Sequence, residues 1–86
     1  PRDEWKQYFS TSDSDLSVTL ICKGYTLITI DAESQRKFIF VYKNDVGIKN
    51  VVDGYWENRI TVSPLEFANA RKNLKSRIFG IKKHYK

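Results

Sequence analysis

Residues 37–43 read Lys-Phe-Ile-Phe-Val-Tyr-Lys, and every residue between the two lysines is β-branched or aromatic. That composition defines a strand. Side chains alternate along a strand, so Phe38, Phe40 and Tyr42 share one face while Ile39 and Val41 share the other. A strand this apolar on both sides must give one face to a core. The alternation alone does not say which face that is.

The rest of the chain supplies the elements that could cover it. Tyr8-Phe9, within residues 5–10, reads as a short first strand. Ser-Thr-Ser-Asp-Ser-Asp at 10–15 is rich in helix-capping residues, and a helix from about Ser14 to Lys23 follows, closed by Gly24. Its apolar residues Leu16, Val18, Leu20, Ile21 and Cys22 lie on more than one face, as in a helix sandwiched in a core. Residues 25–30 read as a strand that pairs with 37–43 across a polar loop. Asn44-Asp45 is expected to cap a second helix with an apolar stripe at Ile48, Val51, Val52, Tyr55 and Trp56. Residues 60–62 can form a short fourth strand. Ser63-Pro64-Leu65-Glu66 is the strongest local signal. Ser63 caps, Pro64 suits the first helical position, and Glu66 closes a capping box. The helix it opens runs to Ile81 or beyond, with Phe67, Ala70, Leu74, Ile78 and Ile81 in one stripe.

The predicted order is β-α-β-β-α-β-α. The expected fold is α+β, a small antiparallel sheet with helices packed on one face and a long C-terminal helix. Its first six elements follow the ferredoxin-like order. At 86 residues, with 12 aromatic side chains, the chain is long enough for one domain with a core and too short for two. Residues 1–86 are read as that domain, with 1–6 flexible and 82–86 a basic tail. No apolar run approaches the roughly 18–20 residues that span a bilayer, so no membrane association is expected.

Charge is divided unevenly. Residues 1–70 carry eight basic and ten acidic side chains, whereas 71–86 carry seven basic ones and no acid. Arg71, Lys75 and Lys82 fall beside the apolar stripe of the last helix, with Phe79 nearby and Arg77 on the opposite flank. A concentrated cationic element points to an anionic partner. The same cations also complement a helix C-terminus and keep a small protein soluble.

Signals for catalysis are weak. Cys22 reads as a small core residue. His84 lies near the end of the sequence with no nucleophile placed to use it. Asp31 with Glu33, and Asp53 with Glu57, are generic carboxylate pairs. One Cys and one His cannot make a zinc site, and there is no Gly-rich phosphate loop, HExxH or CxxC. The expectation is a protein that is not an enzyme and has no metal or cofactor. Pro1-Arg2-Asp3-Glu4 has no apolar stretch behind it, and the single thiol favours a reducing compartment, so a cytoplasmic location is expected.

Cations interleaved with aromatics, as in 36–43, are what single-stranded nucleic acid requires: bases stack on exposed rings and cations neutralise phosphates. The candidate contacts are Lys37, Tyr42, Lys43, Trp56, Arg59, Arg71, Lys75, Phe79, Lys82 and Lys83. Tyr8, Tyr42, Trp56 and Phe79 are the aromatics expected at the surface. The alternative for Phe38, Phe40 and Tyr42 is burial under the helices. A rival function is a protein-interaction or accessory module of a virus or mobile element. It would dimerise or bind a partner through Phe67, Leu74, Ile78 and Ile81 of the last helix.

Two resemblances bear on this. Arg36, Phe38, Phe40 and Val41 match the third-strand pattern of the RNA recognition motif, but Lys37, Ile39 and Lys43 depart from it. More broadly, Phe9-Ser10-Thr11-Ser12-Asp13, Leu16 through Tyr25, Phe38-Ile39-Phe40, Gly54-Tyr55-Trp56, residues 62–67 and residues 74–78 resemble a small prokaryotic and phage-associated family of uncharacterised domains. That family implies a fold and no activity. There is a weaker likeness to the DNA-binding domain of the archaeal ThermoDBP single-stranded DNA-binding proteins. It implies an apolar cleft flanked by basic residues, with Tyr42, Trp56, Arg71 and Lys75 as candidates.

Overall fold

The computed structural model describes residues 7–84, and side chains as far as Lys82. The expectations for residues 1–6, for Lys86 and for the side chains of Lys83 and His84 lie outside the described residues. Strands β1 (Tyr8–Thr11), β2 (Leu27–Ala32) and β3 (Phe38–Lys43) and helices α1 (Ser14–Cys22), α2 (Ile48–Trp56) and α3 (Pro64–His84) follow one another as β1-α1-β2-β3-α2-α3. The fold is α+β with an antiparallel sheet and a long last helix, as the sequence indicates.

The strand of residues 38–43 is the middle of the sheet. The spatial order is β1-β3-β2, and β3 runs antiparallel to both neighbours. This places β3 between the two strands of a β-α-β unit, the split arrangement of ferredoxin-like folds. Residues 60–62, expected as a fourth strand, pair with no other strand. The segment is instead tied to helix ends. The Arg59 amide donates to the Gly54 carbonyl (2.8 Å), and the Lys23 ammonium takes the Thr61 carbonyl (2.8 Å).

The two faces of β3 have different fates. Phe9 and Leu27 lie opposite Tyr42, and Thr11 and Ile30 opposite Phe40, so these residues share the aromatic face. Phe40 and Tyr42 are buried against Leu16, Val18 and Leu20 of α1, with Ile48 of α2 and Leu74 of α3 completing the core. On the other face Ile39 and Val41 are flanked by Ser10, Thr29 and Asp31, and Tyr8, opposite Lys43 at its edge, is 46% exposed as expected. The stacking platform anticipated on β3 is therefore absent. Tyr42 is not a surface aromatic, because its ring closes the core and its hydroxyl is consumed there. It donates to the Ser17 carbonyl at 2.7 Å and lies 2.5 Å from the Ser17 hydroxyl. The RNA-recognition-motif reading fails for the same reason, since that motif stacks bases on sheet rings left open to solvent.

Local signals account for most element ends. The Asp13 carboxylate accepts the Leu16 amide (3.0 Å) to cap α1, and Gly24 follows its end at φ 91°. Five consecutive residues of α1, Leu16 to Leu20, are buried, because the sheet, α2 and α3 all pack on this helix. Helix α2 differs from expectation at its start. Its cap is Gly47, at φ 88°, and not Asn44-Asp45. The Asp45 carboxylate is turned to the Lys43 ammonium (3.7 Å), and the Tyr25 hydroxyl donates to the Val46 carbonyl (3.2 Å). A left-handed turn at 47 beneath Tyr25 suits glycine, since an added Cβ would come within 2.9 Å of the Tyr25 hydroxyl.

Burial pushes the Tyr42 phenol above its ordinary value of 10.0, with the Ser17 hydrogen bond and the charge of Arg77 opposing the rise. The unfolded chain thus loses this proton first. Stability is present in full below about pH 10 and declines as pH rises toward the folded value. Tyr42→Phe strands the Ser17 polar atoms in the core. It is expected to cost about 1–2 kcal/mol at neutral pH and to shrink the alkaline decline. Urea unfolding at neutral pH and above pH 10 measures both.

Candidate nucleic-acid interface

Helix α3 begins where the capping residues place it. The Ser63 hydroxyl accepts the Glu66 amide (3.4 Å), and the Ser63 carbonyl accepts the Phe67 amide (2.9 Å). The helix then runs for 21 residues, about 30 Å. Its apolar stripe is spent inside the molecule. Leu74 is 3% exposed, and Phe67, Ala70 and Ile78 pack against the core. The seam proposed for dimerisation is therefore occupied by α1 and the rest of the domain, and Leu74 is not available to a second chain.

Burying that stripe orients everything else on the helix. At about 100° per residue, Arg71, Lys72, Lys75, Phe79 and Lys82 fall in one arc beside it, with Ala68 among them. They line two adjoining shallow grooves. One is formed by Phe67, Ala68, Arg71, Lys72 and Lys75, and the other by Lys72, Lys75, Ile78, Phe79 and Lys82. Phe79 is 67% exposed in the midst of these cations. Near the far end, the Lys82 ammonium lies 5.9 Å from the centre of the Phe38 ring. A third hollow, lined by Tyr55, Trp56, Ile60 and Phe67, continues the surface past the helix start. Trp56 is 64% exposed there and meets Tyr55 edge-on (4.9 Å between centroids, 84°).

Of the predicted contacts, Arg71, Lys75, Phe79 and Lys82 thus share one arc of α3, the backbone of Lys83 continues the same helix, and Trp56 lines a hollow that has Phe67 in common with the first groove. Four predicted residues lie outside both. Tyr42 is buried. Lys43 lies at the end of β3 beside Asp45. Lys37 is paired with Glu33 (3.5 Å), and the Arg59 guanidinium with Glu57 (2.7 Å). Two of these ion pairs engage carboxylates considered above as catalytic candidates, Glu33 and Glu57. Among the described residues no ion pair involves Arg71, Lys72, Lys75 or Lys82. Lys72 was missed as a candidate although it lines both grooves; its helical angle, close to that of Phe79, was the available signal.

Outside this surface the chemistry is sparse. Burial, then the Glu66 carboxylate, pushes the Cys22 thiol above its ordinary value, which keeps it protonated at neutral pH. Among the described residues no three His, Cys, Asp or Glu side chains are grouped to hold a metal. No helix among them is long and apolar enough to cross a membrane.

Residues 6–80 match a family described as a domain of unknown function, DUF5659. The chain belongs to that family. The match takes in every strand, α1, α2 and most of α3, so the DUF5659 fold includes the element that bears the grooves. No curated protein and no solved structure matches the chain, and no link to ThermoDBP emerges.

Because one face of α3 is structural and the other exposed, substitutions on them separate cleanly. Leu74→Ala is expected to lower stability by about 2–5 kcal/mol. Phe79→Ala is expected to change it by less than about 1 kcal/mol. Urea titration of the two variants against the parent measures the contrast.

Proposed function

We propose that this domain binds single-stranded nucleic acid, DNA or RNA, along the cationic face of α3, and that it acts by binding without a reaction or cofactor of its own. The observation that carries the reading is the clustering of cations on one arc of α3. Lys37, Lys43 and Arg59 in the body are paired with neighbouring carboxylates, while Arg71, Lys72, Lys75 and Lys82 stand on one exposed arc with Phe79 among them.

Four cations on one face suit a run of phosphates, and each phosphate neutralised releases counterions. An exposed phenyl ring offers a stacking surface that every base can use, which favours a strand whose bases are free over a duplex. With the sheet rings buried, affinity rests on α3 and the aromatics at its margins. The ThermoDBP likeness, an apolar cleft bordered by basic side chains, agrees with this arrangement through Trp56, Arg71 and Lys75 and not through Tyr42.

The rival reading as a partner-binding module loses the seam it relied on, because Leu74 is buried in the domain's own core. What remains exposed on α3 includes Arg71, Lys72, Lys75 and Lys82 together with the apolar side chains of Leu65 and Phe79.

Titration of a fluorescently labelled oligonucleotide at low and moderate salt tests the proposal. Replacing Arg71, Lys75 and Lys82 with Gln together is expected to reduce affinity roughly a hundredfold near 0.1 M salt. It should also flatten the slope of log affinity against log salt by about 2. Unchanged circular dichroism and unfolding midpoint would accompany it, since all three side chains are exposed. Binding that is absent at low salt, or indifferent to salt, removes the reading.

A further inference from the structure

The hollow beyond the first turns of α3 is built differently from the grooves along it. Its lining is mixed: Trp56, Tyr55, Ile60, Val62 and Phe67 supply aromatic and aliphatic surface, and Thr19 and Asn58 add polar groups, with no cation among them. Its shape follows from the end of α2. Gly54 is buried there, and an added Cβ would lie 2.8 Å from the Ile60 Cδ1, so glycine lets residues 57–62 fold back against the helix. Asn58 makes the reversal at φ 60°, with its backbone N–H donating to the Tyr55 carbonyl (3.1 Å). The returning chain leaves Trp56 projecting with most of its ring uncovered, braced on one edge by Tyr55. Phe67 is a wall of this hollow and of the groove that holds Arg71 and Lys72.

We infer that this hollow receives one unstacked base of a single strand whose adjoining phosphates lie on Arg71 and Lys72, an inference that rests on the nucleic-acid reading of α3. A planar, weakly polar ring fits an aromatic recess, and the cations next to it suit the charge that such a ring carries on its backbone. Asn58 offers both a donor and an acceptor to a base edge. A duplex cannot supply the ligand without unpairing and unstacking a base, so the hollow makes the domain selective for single strands. From Phe67 to Phe79 the helix rises about 18 Å, room for roughly five stacked nucleotides between the hollow and the exposed phenyl ring.

The sequence has two tryptophans, Trp5 and Trp56, so Trp5→Phe leaves Trp56 as the sole indole reporter. Its emission is followed while a thymidine oligonucleotide of about a dozen nucleotides, or a duplex of the same length, is added. In parallel, the affinity of a labelled strand is measured for the parent and for Trp56→Ala. Saturable quenching by the single strand alone is expected, together with a loss of single-strand affinity of roughly 5- to 150-fold on Trp56→Ala, the range of one base–aromatic stack. Duplex affinity should be unchanged. Salt-dependent strand binding with unaltered Trp56 emission overturns the base-binding hollow and leaves the α3 reading standing, as does a Trp56→Ala variant of parental affinity. Quenching of equal depth by the duplex also overturns it. No binding of any strand removes both.

Discussion

The contact on which the structure depends is that between Tyr42 and Ser17. The phenol of Tyr42, on the middle strand, donates a hydrogen bond to the Ser17 carbonyl in the middle turn of α1, and the Ser17 hydroxyl lies against the phenol oxygen. A buried phenol without a partner costs several kcal/mol in an apolar setting, so Tyr42 can face inward only where the helix supplies an acceptor. Once that face is inward, Phe38 and Phe40 follow by alternation, and Phe9, Leu27 and Ile30 follow by strand register. The opposite face keeps Ile39 and Val41 beside Ser10, Thr29 and Asp31, with Tyr8 at its edge.

That choice of face also decides how the C-terminal helix is used. With α1 lying on the sheet and buried along five consecutive residues, α3 meets the body chiefly through α1, using the stripe centred on Leu74. Helical geometry then carries Arg71, Lys72, Lys75 and Lys82 to the flank of the contact, where no carboxylate partners them among the described residues. In the body, Glu33, Asp45 and Glu57 engage Lys37, Lys43 and Arg59. The result is a nearly neutral platform bearing one unbalanced cationic surface, with an exposed ring within it and another at its margin.

How much of this could be read from the residues varied with how local the deciding interaction is. The cap at Ser63, the cap at Asp13 and the run Phe38–Lys43 are short-range signals, and the elements they mark appear where expected. Residues 60–62 have strand composition but no strand: the Thr61 carbonyl accepts from Lys23, remote in sequence, and the Arg59 amide just before them is held by the Gly54 carbonyl near the end of α2. Asp45 is a good capping residue by type, yet it turns to Lys43 because the turn at Val46 and Gly47 is set by Tyr25 from another segment. The exposure of Arg71, Lys75, Phe79 and Lys82 was legible because helix periodicity alone places them outside the apolar stripe of α3, whereas Trp56, which periodicity puts in the stripe of α2, is 64% exposed at that helix's last residue. The fates of Tyr42, Lys37, Lys43 and Arg59 were not legible, because burial and ion pairing depend on neighbours that periodicity does not name.

The charge asymmetry, the α+β class and the long capped helix are properties of the chain as written. They depend on residue type and on spacings within a few turns, which no packing arrangement can alter. The inward face of β3 was open to either outcome until α1 offered Tyr42 an acceptor. The joining of Trp56 to the cations of α3 likewise waited on how α2 ends and where Phe67 comes to rest. Those features follow from contacts between segments far apart in sequence, so the folded molecule alone turns a basic composition into a surface with a direction, a length and a recess at one end.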